Sequence, residues 1–219
     1  MLYACVAFAI IAPYLICSVN PAIIVAKLKS GSDIRKQGSG NPGLTNTFRT
    51  QGKTAALAVL TFDALKGVIS VMLARLAFYY ALGIDVFYRG GSLSYVSWLA
   101  ALMAVTGHIF PVYYGFKGGK AVLVTVSALF VVDWISALIL LSLFILIVVL
   151  TRYVSLGSVI AAAALPVCVY VKRGLVESRA DSLTAAIFTA VIALLLIVKH
   201  KKNIRRLIDK KEKKLGEKA

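Results

Sequence analysis

Six blocks of apolar residues, 2–26, 55–82, 95–114, 121–150, 156–171 and 183–198, dominate this chain and leave few folds open to it. A hydrocarbon layer about 30 Å thick is crossed by roughly 20 helical residues, and within it every backbone polar group must be satisfied internally. Helices meet that demand. The fourth block is long for one crossing and carries Asp133-Trp134 near its middle. It is expected to divide there into two short helices turning at an interface, the depth that a charge and an indole prefer. The blocks then make an all-α integral membrane protein of about seven transmembrane helices, consistent with 60% apolar residues and a mean hydropathy of +0.86. Block 2–26 lacks a basic leader and an A-x-A cleavage site, so it is expected to be a retained helix, bent at Pro13 and broken near Asn20-Pro21. With no internal repeat or low-complexity linker, residues 1–219 read as one membrane domain, a helical bundle over 1–200 and a basic tail over 201–219.

Charge orients the bundle. With seven spans and the N-terminus outside, segments 27–53 and 117–120, Arg152 and the tail from 199 onward share one side and hold 19 of the 25 Lys and Arg. The opposite side holds Arg89, Lys172, Arg173 and Arg179. The positive-inside rule places the first set, with the C-terminus, in the cytoplasm. The distal tail reads as a solvated basic run near anionic headgroups. Cys5, Cys17 and Cys168 sit in apolar blocks and read as small packing residues.

"GSGNPGLTNTFR", residues 38–49, contains the glycine spacing of a dinucleotide-binding turn, with Asp63 at a suggestive distance. The context denies that reading. A polar, basic stretch precedes the glycines where a buried strand is required, and Asp63 lies inside an apolar helix. "GFKGGKA", residues 115–121, is not a P-loop: three residues rather than four separate Gly115 from Gly119, and alanine follows Lys120. An ordinary turn is the plain reading of either loop alone. Together they place glycines, hydroxyls, amides and cations beside two helix starts on one face, which is the chemistry of a phosphate site. Asp63 and Lys66, three apart on one helix face, are expected to pair, either as an internal ion pair or in contact with substrate. His108 and His200 stand at matching depths beside the basic motifs; two histidines without an acidic cluster argue against a metal site.

"GSGNPGLTNTFR", "DALKG", "GHIFPVYYGFKGGK", "RYVSLGS" and "KHKKNIRRL", in that order and spacing, resemble the acyl-phosphate-dependent glycerol-3-phosphate acyltransferases of bacteria. The resemblance spans nearly the whole chain. Two positions depart from it: Leu44 stands where a small residue is usual, and Ala121-Val122-Leu123 replaces a glycine and small-residue run. The resemblance implies transfer of a fatty acyl group from acyl phosphate to the 1-hydroxyl of glycerol 3-phosphate, giving lysophosphatidic acid and phosphate. No cofactor, metal or nucleic acid is implied. The partners would be the two substrates, membrane lipid and the enzyme that makes acyl phosphate. Carried over by position, Ser39, Asn41, Thr45 and Asn46 would contact substrate, and Arg49 and Lys120 would bind phosphate charge. Gly118 and Gly119 would expose backbone donors. Ser155, His200 and Asn203 would complete the pocket, with His200 orienting the acceptor hydroxyl or leaving the proton to the donor's own phosphate. Acyl phosphate is already activated, so no protein nucleophile is needed. The competing class is a transporter or channel for an anionic solute, which broken helices and glycine loops also suit. Against it, the motif residues gather at one face rather than the midplane, and no inverted repeat is visible.

Overall fold

The computed structural model describes residues 1–84 and 95–217; Arg89, expected on the outer side, lies outside the described residues. All regular structure among the described residues is helical. Helix α1 (Leu2–Ser18) stops before Asn20, whose side chain accepts from the Ile23 N–H and caps α2 (Pro21–Ser30). Pro21 at the first helical position needs no N–H partner, so the break expected at Asn20-Pro21 is a helix start built from an Asn cap and a proline. Two short turns lead to α3 (Leu44–Gln51), and Gly52 separates it from the long α4 (Lys53–Leu82). Helix α5 (Tyr95–Ile109) lies at the centre, packed on α1, α4, α6 and α9.

The fourth apolar block divides where the charge sits. Helix α6 (Val122–Val132) ends at Asp133, whose carboxylate accepts from the Ser136 N–H and caps α7 (Trp134–Thr151). Helix α8 (Val154–Tyr170) continues through a π-turn (Val171–Val176), and α9 (Ser182–Lys199) and the short α10 (Lys201–Ile208) complete the chain. Among the described residues six helical stretches are long and apolar enough to cross a bilayer, α1 and α2 counting as one. At 11 residues α6 rises only about 16 Å, so the seventh element is a half-length helix held inside the bundle. Gly67 lets α4 approach it: a Cβ there would collide with Ser127 Oγ and come within 2.9 Å of the Val124 carbonyl.

Lys172 and Arg173, expected on the side opposite the glycine loops, are buried. Lys172 donates to both Asp133 oxygens at 2.8 and 3.0 Å and pairs with Glu177 at 2.9 Å. Arg173 lies 3.7 Å from Asp133, bonds Asp181 and stacks over Trp98. A carboxylate at the α6–α7 break cannot remain unpaired in an apolar bundle, and these cations neutralise it. This ion network occupies the end of the bundle away from the glycine loops.

Candidate active site

The loop 31–43 is shaped by one buried amide. Asn46 accepts from the Ser39 N–H at 2.9 Å and donates to the carbonyls of Gln37 and Ile34. All these bonds are internal, so Asn46 organises the loop from the edge of the cavity described below. Arg35 pairs with Asp33 at 2.6 Å and donates to the carbonyls of Tyr114 and Lys117, tying the first glycine loop to the second.

Gly118 and Gly119, expected to expose backbone donors, have those donors engaged. Their N–H groups already donate to the carbonyls of Ile109 and His108, both at 3.2 Å, and neither glycine lines the cavity described below. Their use is close approach. A Cβ on Gly119 would collide with His108 Nε2 and reach 2.8 Å from the Pro42 carbonyl. The glycines let the Lys120 loop lie flat between α5 and the first loop. The next residue, Ala121, has φ 59° and caps α6. That left-handed conformation costs a residue with a Cβ about 1 kcal/mol, which a glycine would avoid.

Behind both loops sits a buried triad. Lys66 spends its three donors on Asp63 at 2.8 Å, on His108 Nδ1 at 2.9 Å and on the Val19 carbonyl at 2.7 Å, freed by the break between α1 and α2. Asn20 adds a bond from its Nδ2 to the Pro42 carbonyl. The expected Asp63–Lys66 pair is present, and it anchors the helix break under the loops.

Above this base the structure brings most of the expected residues around one cavity of about 370 Å³. Ser39, Asn41, Thr45, Arg49, Lys120, Ser155, His200 and Asn203 line its polar mouth, and Asn46 contributes to the wall. The remainder is apolar, running between α6, α7 and α8 past Val122, Leu141, Phe144 and Ala161 toward Leu129, Ala137 and Leu165. Leu44 and Ala121, the two departures, both line this wall.

The electrostatics of the mouth are unusual. Burial, reinforced by Arg206 and Arg49 and opposed by Glu212, lowers the Lys120 pKa to about 8. Burial chiefly, with Lys120 second, lowers His200 to about 4, so its imidazole is neutral near pH 7. Its Nδ1 faces the Leu196 carbonyl at 2.8 Å and must donate there, which leaves Nε2 as a hydrogen-bond acceptor.

The distal tail is exposed, as the sequence suggests, except at half-buried Glu212. Residues 209–217 fold back across the mouth. Glu212 accepts from Ser155 Oγ at 2.7 Å, Asn203 Nδ2 at 2.6 Å and Arg206 Nε at 2.6 Å. Burial raises its pKa, but these bonds outweigh that effect and hold it below the usual carboxylate range. Arg49 donates to the carbonyls of Lys213 and Lys214, each at 3.3 Å, and Arg152 to that of Leu215. Glu212 and Arg206 were not singled out in the sequence. Arg206 was within reach, since His200, Asn203 and Arg206 follow at intervals of three along one helical face. Glu212 was not, because its partners Ser155 and Asn203 are 57 and nine residues away. Among the described residues no three His, Cys, Asp or Glu side chains gather as metal ligands.

A basic, loop-framed mouth opening into an apolar slot within a membrane bundle defines a site for phosphorylated amphiphiles. The chain belongs to the glycerol-3-phosphate acyltransferase family, whose profile matches residues 7–210. Proteins named glycerol-3-phosphate acyltransferase from Francisella tularensis (strain FSC 198) and Clostridioides difficile (strain 630) are each 38% identical to it. The matches cover 94% of this chain and 91% and 93% of theirs. The fold is similar to the crystal structure of PlsY (YgiH), an integral membrane glycerol 3-phosphate acyltransferase, in its glycerol 3-phosphate form, with a TM-score of 0.78 and 34% identity over 96% of each chain. The lysophosphatidic acid form gives 0.76 and 32%, covering 96% of this chain and 95% of that one.

Proposed function

We propose that this protein transfers a fatty acyl group from acyl phosphate to the 1-hydroxyl of glycerol 3-phosphate, releasing lysophosphatidic acid and inorganic phosphate. The observation that carries the reading is the continuity of one cavity from a cationic mouth to an apolar slot. Two phosphates repel each other strongly in a partly desolvated site, and Arg49, Lys120 and Arg206 are placed to offset that repulsion. Ser39, Asn41 and Thr45 supply neutral hydrogen bonds to phosphate and hydroxyl groups. Ser155 and Asn203, with His200, form the wall facing the acceptor. The acyl chain occupies the slot between α6, α7 and α8.

In the reaction the 1-hydroxyl oxygen attacks the acyl carbonyl carbon, the tetrahedral adduct collapses, and the carbon–oxygen bond to phosphate breaks. With a pKa of about 4, His200 is a poor proton sink at neutral pH. A phosphate monoester titrates at about 6, so the departing phosphate is the better base. His200 Nε2 therefore orients the hydroxyl by accepting its hydrogen bond, and the proton ends on the leaving phosphate. Proximity and fixed cations then supply the rate, without a protein nucleophile.

The charge asymmetry supports an orientation with the mouth and C-terminus inside and the N-terminus outside, and the bacterial relatives support a bacterial cytoplasmic membrane. An enzyme that makes acyl phosphate is the natural upstream partner. Residues 1–200 act as the membrane bundle, and the tail contributes to the site rather than forming a separate unit. The test is purified protein with glycerol 3-phosphate and either acyl phosphate or acyl-CoA. Lysophosphatidic acid should form from acyl phosphate alone; equal turnover with acyl-CoA would overturn the donor assignment.

A further inference from the structure

The apolar slot ends at a wall one side chain thick. Leu129 of α6 and Leu165 of α8 are buried at its deep end. Behind them lies a separate void of about 10 Å³, bounded by the same two leucines and Thr125, and on its far side by Trp98, Thr189 and Ile192. This is at the lower limit for holding a water, and water needs polar partners. The two threonine hydroxyls already donate to the Ala121 and Ala185 carbonyls, each at 2.8 Å, so the void offers water little.

We propose that Leu129 and Leu165 set the length of acyl chain this protein accepts. The inference rests on the reading that an acyl chain lies in the slot. From Ser155, at the mouth, to Leu165 is ten residues along α8, about 15 Å of helix. An extended alkyl chain advances about 1.3 Å per carbon, given C–C bonds of about 1.5 Å at about 111°. Roughly a dozen carbons therefore reach the wall. Chain and bilayer are equally apolar, so burial does not discriminate among lengths; a close-packed wall does, because overfilling forces side chains off their rotamers. A chain that overruns the wall should be disfavoured about tenfold, the scale of a modest overpacking penalty. Removing one leucine side chain joins the slot to the void behind it and admits two or so further carbons.

The experiment is a one-pot competition. Wild-type protein, Leu129→Ala, Leu165→Val and Ala137→Phe each receive glycerol 3-phosphate and an equimolar series of acyl phosphates from about C8 to C18. Lysophosphatidic acids are quantified by mass spectrometry. The product ratio within one tube does not depend on how much protein is folded, and the mild Leu165→Val carries the test if Leu129→Ala is unstable. Leu129→Ala should move the optimum about two carbons longer, Leu165→Val about one, and Ala137→Phe should move it shorter, while Leu194→Ala, on an exposed face of α9, leaves it unchanged. Product from every protein with one unchanged length profile would overturn the inference and leave acyl transfer intact. No product of any length from the wild type would overturn the acyl-transfer reading, and this inference with it.

Discussion

Lys120 is an ammonium placed where water solvates it poorly. A fall in pKa from 10.5 to about 8 corresponds to about 3 kcal/mol against its charged form before substrate arrives. A bound phosphate reverses that effect, so the group is poised to stabilise charge that substrate brings. The sign follows directly. Below pH 8 the side chain is an ammonium and attracts phosphate; above it the amine is neutral and does not. The kcat/KM for glycerol 3-phosphate should therefore fall along an alkaline limb centred near pH 8, about tenfold lower by pH 9. The kcat limb should lie higher, because bound phosphate holds the proton on. Lys120→Arg keeps its charge past pH 12 and should remove the limb, at some loss in rate from changed geometry. Lys120→Met should lose about 10²–10³-fold at every pH, the scale of deleting one transition-state donor. The assay is lysophosphatidic acid formation from pH 6.5 to 9.5, corrected for spontaneous acyl phosphate hydrolysis. A wild-type profile flat through pH 9, or a limb that persists in Lys120→Arg, would refute the assignment to Lys120.

Gly119→Ala should lower activity by at least tenfold, since its Cβ must displace His108 or the Pro42 backbone and so shift the Lys120 loop; wild-type turnover in that variant would refute the close-packing role. Lys172→Met leaves Asp133 with one nearby cation, Arg173 at 3.7 Å, besides the Ser136 N–H. It should cost about 3–5 kcal/mol, lowering the Tm in detergent by roughly 10 °C, with KM unchanged in the folded fraction. Asp133→Leu combined with Lys172→Met should recover most of that loss, and a double variant as unstable as the single would contradict the ion-pair account. In a chain lacking its native cysteines, cysteine at exposed Lys36 should react only with cytoplasmic reagent and cysteine at exposed Ser178 only with external reagent. Labelling of both from one side would overturn the orientation.

The helix breaks were legible in the sequence because each is written locally. Asn20-Pro21 is a cap followed by a proline, and Asp133 is a carboxylate inside an apolar block, so both announce their structure within a few residues. The Asp63–Lys66 pair was legible for the same reason, through helical spacing. Much of the mouth was also legible, since Arg49, Lys120, Ser155, His200 and Asn203 do meet there. What each loop residue does was harder to read. Glycine permits either an exposed donor or a close contact, and only the positions of His108 and Pro42 decide for the second at Gly119. Asn46 likewise has the chemistry of a ligand contact but satisfies Gln37 and Ser39. The fold-back of the tail was beyond local reading: Arg49 meets Lys213 and Lys214 across 164 and 165 residues, and a basic run free of such partners would be solvated.

The most direct test is a structure with glycerol 3-phosphate and a non-hydrolysable acyl phosphonate bound together. The account predicts phosphorus-bound oxygens within hydrogen-bond distance of Lys120 and Arg49, the glycerol 1-hydroxyl at His200 Nε2, and the alkyl chain between α6, α7 and α8. Either headgroup bound away from Lys120 and Arg49, or a chain lying wholly on the outer surface of the bundle, would contradict it.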